Sequence, residues 1–139
     1  MADRVKGIVV EIGGDTVGLS KALSGVNKEI GNTQRELKDV ERLLKLDPTN
    51  TELLRQKQEL LAKSVEQTSG KLEQLKNAEK QVQQQMKEGK VSEEQYNRLQ
   101  REIIATEQQL SRAEKAAQEF DDEVRQGNAD KEMHQTEKA

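Results

Sequence analysis

"VKGIVVEIGGDTVGLSKAL", residues 5–23, decides how this chain is read. Its first half reads as a strand over residues 4–12, because Val9, Val10 and the isoleucines at 8 and 12 favour extended backbone. By the period of two, Ile8, Val10 and Ile12 share one face, and Val5 and Val9 lie on the other. Gly13-Gly14 then breaks the strand, and Asp15, or failing it Thr16, is placed to cap a helix. The sequence predicts no second strand. A lone strand is marginal in water, since its backbone groups and its apolar face both need partners. Two solutions are open: pairing with another chain by strand addition, or packing flat on the helices of its own chain.

Downstream, the apolar residues recur at helical spacing. The first helix is predicted over 16–46, with a seam of Leu19, Leu23, Val26, Ile30, Thr33, Leu37, Val40 and Leu44. Steps of four and three alternate throughout, which is the heptad pattern of helix-on-helix packing. Gly25 and Gly31 sit inside it at a cost of about 1 kcal/mol each relative to alanine, either tolerated or marking a close neighbour. "LKLDPTNTELL" ends this helix: Pro48 cannot continue it and suits the start of the next. Asp47 or Thr49 is the expected cap, with Glu52 closing a box on Thr49. The phrase is a generic helical corner, since no 34-residue repeat accompanies it.

The second helix is predicted over 51–88, with a seam of Leu54, Gln58, Leu61, Val65, Thr68, Leu72, Leu75, Glu79, Val82 and Met86. Ala78 replaces Glu79 if the register slips by one. The leucine pairs at 53–54 and 60–61 widen the apolar face, as contact with two neighbours requires. The glutamines at 83–85 read as a solvated face. "EGKVSEEQY" is the second corner, with Gly89 as a C-terminal cap, Ser92 and Gln95 as a capping box, and Val91 and Tyr96 as a hydrophobic staple. The third helix is predicted over 93–125, along Tyr96, Leu99, Ile103, Thr106, Leu110, Ala113, Ala117, Phe120 and Val124. Its small far end suits the wide start of the second helix.

The fold class is therefore mainly α: one short N-terminal β-strand, then three long amphipathic or coiled-coil helices in up-down-up hairpins. Residues 1–14 hold the strand and the Gly-Gly turn, 15–125 the helical region, and 126–139 a disordered tail without a seam.

Composition narrows the function. Only 32% of the 139 residues are hydrophobic and 35% are charged, with one Tyr and one Phe, which favours long helices over a large globular core. Both signs are mixed and the net charge is -3, so no basic face exists to neutralise phosphates, and specific nucleic-acid binding is not expected. There is no Cys, and His134 stands alone, so thiol and metal chemistry have no basis. No apolar run approaches the ~20 residues of a membrane span, and no secretory leader is read. The turn at residues 13–16 lacks both the dinucleotide fingerprint and a Walker Lys-Ser/Thr. The acids and lysines fall mostly on outward helix positions. No catalytic site, cofactor or small-molecule substrate is expected.

The opening stretch resembles the N-terminal region of tail tape measure proteins of long-tailed bacteriophages, in the variety found in phages of Gram-positive bacteria. Those proteins often open "I-x-V-x-I-x-x-D-T-x-G" followed by "L-x-x-A-L-x-x-V". Here the matching residues are Ile8, Val10, Ile12, Asp15, Thr16, Gly18, Leu19, Ala22, Leu23 and Val26. The segment "LKDVERLLKLDPTNTELL" is similar as well, and the resemblance extends over roughly residues 5–110. It implies a structural protein of the virion that self-associates, nucleates tail tube assembly, and contacts tail tube or baseplate proteins. It implies the host cytoplasm during assembly and the tail lumen afterwards. A single helix of this length would span only about 210 Å, so the resemblance implies an N-terminal module of a longer protein or a small relative. Ile8, Val10 and Ile12 are then the expected self-association or partner strand. Competing readings are a prefoldin-like holdase, which places its strands between its helices, and a free-standing coiled-coil adaptor, which needs no strand. A secreted helical-hairpin export substrate would carry a Trp-x-Gly turn, and this chain has no Trp.

Overall fold

A computed structural model describes residues 3–138, with side chains as far as residue 126. The chain is mainly α with a short N-terminal β element. Its order is β1 (Val9–Ile12), β2 (Asp15–Gly18), α1 (Leu19–Leu46), α2 (Thr51–Lys87) and α3 (Glu93–Lys138). The disordered tail expected over 126–139 falls, but for residue 126, outside the residues described in full.

The strand is not an orphan. β1 pairs antiparallel with β2, Val10 opposite Val17 and Ile12 opposite Asp15. Gly13 and Gly14 are the two-residue turn between them, both at positive φ (60° and 86°). That geometry is a type I′ turn, whose twist matches the strands it joins and which glycine enters without steric cost. Asp15 and Thr16, read as helix caps, are instead strand residues. The helix begins at Leu19 rather than near 16, behind Gly18, which makes no side-chain cap bond. The first residues differ too. Positions 4–7 form a turn, and β1 is four residues long.

The corners follow local chemistry. Asn50, not Asp47 or Thr49, caps α2, its side chain accepting from Leu53 N–H at 3.0 Å. Asp47 ends α1, its N–H bonded to the Leu43 carbonyl. At the end of α2, Lys90 N–H reaches the Gln85 carbonyl (2.8 Å) and Gly89 N–H the Met86 carbonyl (3.1 Å), a Schellman closure with Gly89 at φ 76°. Ser92 and Gln95 bond reciprocally: Gln95 N–H to Ser92 Oγ at 3.1 Å, and Ser92 N–H to Gln95 Oε1 at 3.0 Å.

α2 is the central helix, packed on both α1 and α3. The largest buried cluster lies at the hairpin end, where Val5, Ile8 and Val10 meet Leu19 and Leu23 of α1, Leu75, Ala78 and Val82 of α2, and Leu99 and Ile103 of α3. The seam of α1 is buried or half-buried at every predicted position. In α2 the inward positions are Leu61, Thr68, Lys71, Leu75, Ala78 and Val82, and Gln58 is exposed. Leu61, Thr68, Leu75 and Val82 are buried as predicted, and Lys71 and Ala78 are buried in place of Leu72 and Glu79, the one-residue slip already open at Ala78, because this helix serves two neighbours. Leu75→Ala and Leu99→Ala, at fully buried positions, are each expected to cost about 3 kcal/mol in urea unfolding. Leu46→Ala, at an 82% exposed site, stays within about 0.5 kcal/mol of wild type.

Candidate functional site

In a two-stranded sheet each strand pairs along one edge and leaves the other edge's N–H and C=O groups facing outward. In β1 the outward residues are Val9 and Glu11, which alternate with the paired Val10 and Ile12. α2 meets three of the four outward groups of this edge with two side chains, while Gln85 Oε1 has no hydrogen-bond partner among the described residues. Gln81 accepts from Glu11 N–H at 2.7 Å and donates to the Glu11 carbonyl at 2.9 Å. Gln85 donates to the Val9 carbonyl at 2.9 Å. Spacing makes this possible: four residues of helix rise about 6 Å and two residues of strand about 7 Å. Two glutamine amides one helical turn apart therefore stand where peptide groups of a third strand would stand. The run at 83–85, expected to be solvated, thus contributes Gln85 to the edge of the sheet, and Gln83 donates to the Tyr96 hydroxyl at 3.3 Å.

The two edges of the sheet differ. β2 has Thr16 and Gly18 outward, opposite Glu11 and Val9 in the register. Among the described residues no side chain bonds the outward backbone groups of Thr16. Its sequence, Asp-Thr-Val-Gly, carries no lysine or proline, and the edge is blunted by its shortness, since Gly18 is the N-cap of α1 and its carbonyl accepts the first helical bond.

The residues expected to form a partner strand are divided by the fold. Ile8 (1% exposed) and Val10 (2%) are core residues of their own bundle, while Ile12 (53%) and Val9 (48%) are exposed near the turn. Of the seam residues, Leu19, Leu23, Ile30, Val40, Leu61, Leu75, Leu99 and Ile103 are buried, and Val26, Leu37, Leu44, Leu72 and Leu110 are half-buried.

Beside the hairpin, a groove of about 870 Å³ runs between α1 and α3, closed at one end by residues 3–5 and lined in part by Leu23, Asn27, Lys71, Glu102 and Thr106. Lys71, at an inward position of α2, is only 8% exposed. Its ammonium lies 3.0 Å from Glu102, which also takes Arg4 of the N-terminal segment at 3.0 Å. Burial pushes the Glu102 carboxyl up. Hydrogen bonds from Lys71 and Arg4, with their positive charges, outweigh it and hold the group below the ordinary 4.5. Asp3 completes the tie, receiving the Ser20 hydroxyl of α1 and the Val5 N–H. Residues 3–5 thereby link α1 to α3.

Just below, each helix contributes one buried threonine: Thr33, Thr68 and Thr106. The Thr33–Gln67 bond and the Lys71–Glu102 bridge set them at one level of the bundle. Thr33 donates to Gln67 Oε1 at 2.9 Å, Thr106 donates to the Glu102 carbonyl at 2.8 Å, and the Thr68 hydroxyl has no partner among the described residues.

The sequence reading missed Lys71, Gln81, Gln85 and Glu102. For Lys71 a signal existed: it lies three residues past Thr68 and four before Leu75, on the alternative heptad register that Ala78 shares. Nothing local marks Gln81 and Gln85, whose roles depend on a strand 70 and 76 residues away. Chemically, Lys71 and Glu102 neutralise each other in a partly dry site, an arrangement that holds segments in place. Among the described residues no group of three or more His, Asp or Glu is placed to hold a metal ion, and no helix is long and apolar enough to cross a membrane.

The fold and its edges define a hairpin-headed three-helix bundle. No protein-family model matches the chain, and neither the curated proteins nor the solved structures yield a match.

Two expectations follow from this geometry. Glu102→Ala strands Lys71 as an uncompensated buried charge and is expected to cost about 3 kcal/mol, whereas the double variant Lys71→Met with Glu102→Leu, which replaces the whole pair by apolar groups, is neutral or stabilising in the same unfolding assay. The folded pKa of Glu102 lies below its unfolded value, so its stabilisation is complete above about pH 4.5 and is lost as pH falls through the folded value. Glu102→Gln therefore flattens the acid side of the stability profile. Separately, Gln81→Ala should speed hydrogen exchange at the Glu11 amide, read by NMR, while Val10, whose N–H pairs with β2, changes little.

Proposed function

We propose that this chain is a structural assembly module, the N-terminal module of a phage tail tape measure protein, which self-associates and nucleates tail tube assembly from the lumen. The observation that carries this reading is how the resembling residues are used. Ile8, Val10, Leu19 and Leu23 pack in one cluster, with Val26 against it. Asp15, Thr16 and Gly18 form the strand that joins β1 to the helix. The shared wording therefore describes one folded unit, a strand, turn, strand and helix that heads a bundle. A head of this kind, small, with Val9 and Ile12 exposed on its outside and stiffened by buried contacts to all three helices, suits a part that organises copies of other proteins around it.

Its partners on this reading are a second copy and the tail tube or baseplate proteins. Its locations are the bacterial cytoplasm during assembly and then the tail lumen.

The test uses purified tail tube protein from the phage whose genome encodes the chain. Adding the full chain is expected to shorten the lag of tube polymerisation, seen by light scattering, and to place the chain in sedimented tubes. Leu23→Asp, which unpacks the head, should abolish both effects. Tubes that form at the same rate and sediment without the chain would overturn the reading.

A further inference from the structure

We propose that the bundle is built in two tiers, and that the tier far from the hairpin opens as a unit while the head stays folded. The level of Thr33, Thr68 and Thr106 is the boundary. The proposal is independent of the assembly reading above, since no partner enters it.

Burial is divided unevenly about that level. The large apolar cluster, eleven buried side chains from Val5 to Ile103, lies wholly on the hairpin side. On the far side lie residues 34–46 of α1, 51–66 of α2 and 107–126 of α3, and only Val40, Leu61 and Phe120 are buried there. These three are spread along the axis. Val40 and Leu61 stand about two turns beyond Thr33 and Thr68, and Phe120 about four turns beyond Thr106. None of the three far segments exceeds twenty residues, a length at which isolated helices of ordinary sequence are weak.

Polar ties divide the same way. On the hairpin side they cross between elements: Lys71 and Arg4 meet Glu102, Gln100 meets Glu79, and Ser20 meets Asp3. On the far side every ion pair among the described residues lies within one helix, Arg42 with Asp39 and Arg55 with Glu52 and Glu59. Exposed pairs of this kind add little. Two exposed contacts do cross there. The Lys57 ammonium lies 4.9 Å from the centre of the Phe120 ring, and Gln58 donates to Asp121 at 3.4 Å.

The boundary separates the tiers more than it joins them. Three threonines, with the Lys71–Glu102 bridge beside them, interrupt the apolar core, so the cluster of the head does not run on into the far tier. The Thr68 hydroxyl is buried without a partner among the described residues, which disfavours the closed level. Units that share little buried surface open separately. Opening would bare Leu37, Val40 and Leu44 of α1 beside Leu43 and Leu46, which are already 38% and 82% exposed. The head would hold its place while one end of α1 offers an apolar face that the closed bundle hides.

The experiment is native-state hydrogen exchange of the full chain, read by NMR in urea well below the unfolding midpoint. The Val40, Leu61 and Phe120 amides are expected to exchange about 100-fold faster than those of Leu75 and Leu99, with one common urea slope smaller than that of the head. Val82→Ala, in the core of the head, then separates two units from one. It should speed exchange at Leu75 and Leu99 about tenfold. It should leave Val40, Leu61 and Phe120 within about threefold of wild type, because the head is folded both before and after the far tier opens. A single cooperative bundle would show equal protection at all five amides in wild type, or the same acceleration at all five in Val82→Ala, and either result overturns the proposal. So do far amides that exchange each at its own rate without urea dependence, which is the fraying of separate helices. The wild-type slopes decide between these outcomes by themselves if Val82→Ala does not fold.

Discussion

Everything at the head of this bundle depends on one apolar contact, the burial of Val5, Ile8 and Val10 against all three helices. Two helices packed on a central third leave one side of the core open. Here the N-terminal segment fills that side at one end, and the largest buried cluster of the molecule forms around it. Polar ties then fix its position. Arg4 reaches α3 through Glu102, and Asp3 reaches α1 through Ser20. Beyond the hairpin the same side is a groove.

Backbone accounting explains the rest of the head. A strand brought against a bundle must dispose of its outward peptide groups, and helices offer none of their own because theirs are already paired. Side-chain amides are the substitute, since each carries a carbonyl acceptor and an N–H donor with peptide-like geometry. The glutamine content of α2, which in isolation suggests only solubility, supplies them at the spacing that a strand edge needs. Lys71 shows the same economy with charge. It is tolerated at an inward position because Glu102 meets it there and Arg4 meets Glu102 in turn.

Much of this was legible in the sequence, and the failures share a cause. The seam of α1, the helical corner at Ser92 and Gln95, and the mainly α class all rest on local spacing, which survives folding unchanged. The second strand was missed because Asp15-Thr16-Val17-Gly18 has poor strand propensity and good capping chemistry. Only the preceding Gly-Gly, read as a break rather than as a type I′ turn, could have reversed that. In α2, Lys71 and Ala78 replace Leu72 and Glu79 at the inward positions because a helix between two partners has two overlapping seams, and the apolar residues mark the average of both. Gln81, Gln85 and Lys71 act across separations of about 30 to 75 residues, and their partners are set by the tertiary fold alone. Of the expected partner strand, Ile8 and Val10 turned inward for the same reason: the core they belong to is built from every element at once.

The chain order of these contacts has a consequence for synthesis. The hairpin is complete by Gly18, yet the residues that bury it, from Leu75 to Ile103, are made last among the core positions. At ~5–20 residues per second of ribosomal elongation, the apolar face of the hairpin waits on the order of several seconds for its own bundle. During that interval it is a small, sticky and marginally stable unit beside α1, without the two helices that complete its burial. Nascent chains on one messenger would present such faces to each other before any of them could withdraw them, so first encounters between copies would precede the folding of each copy.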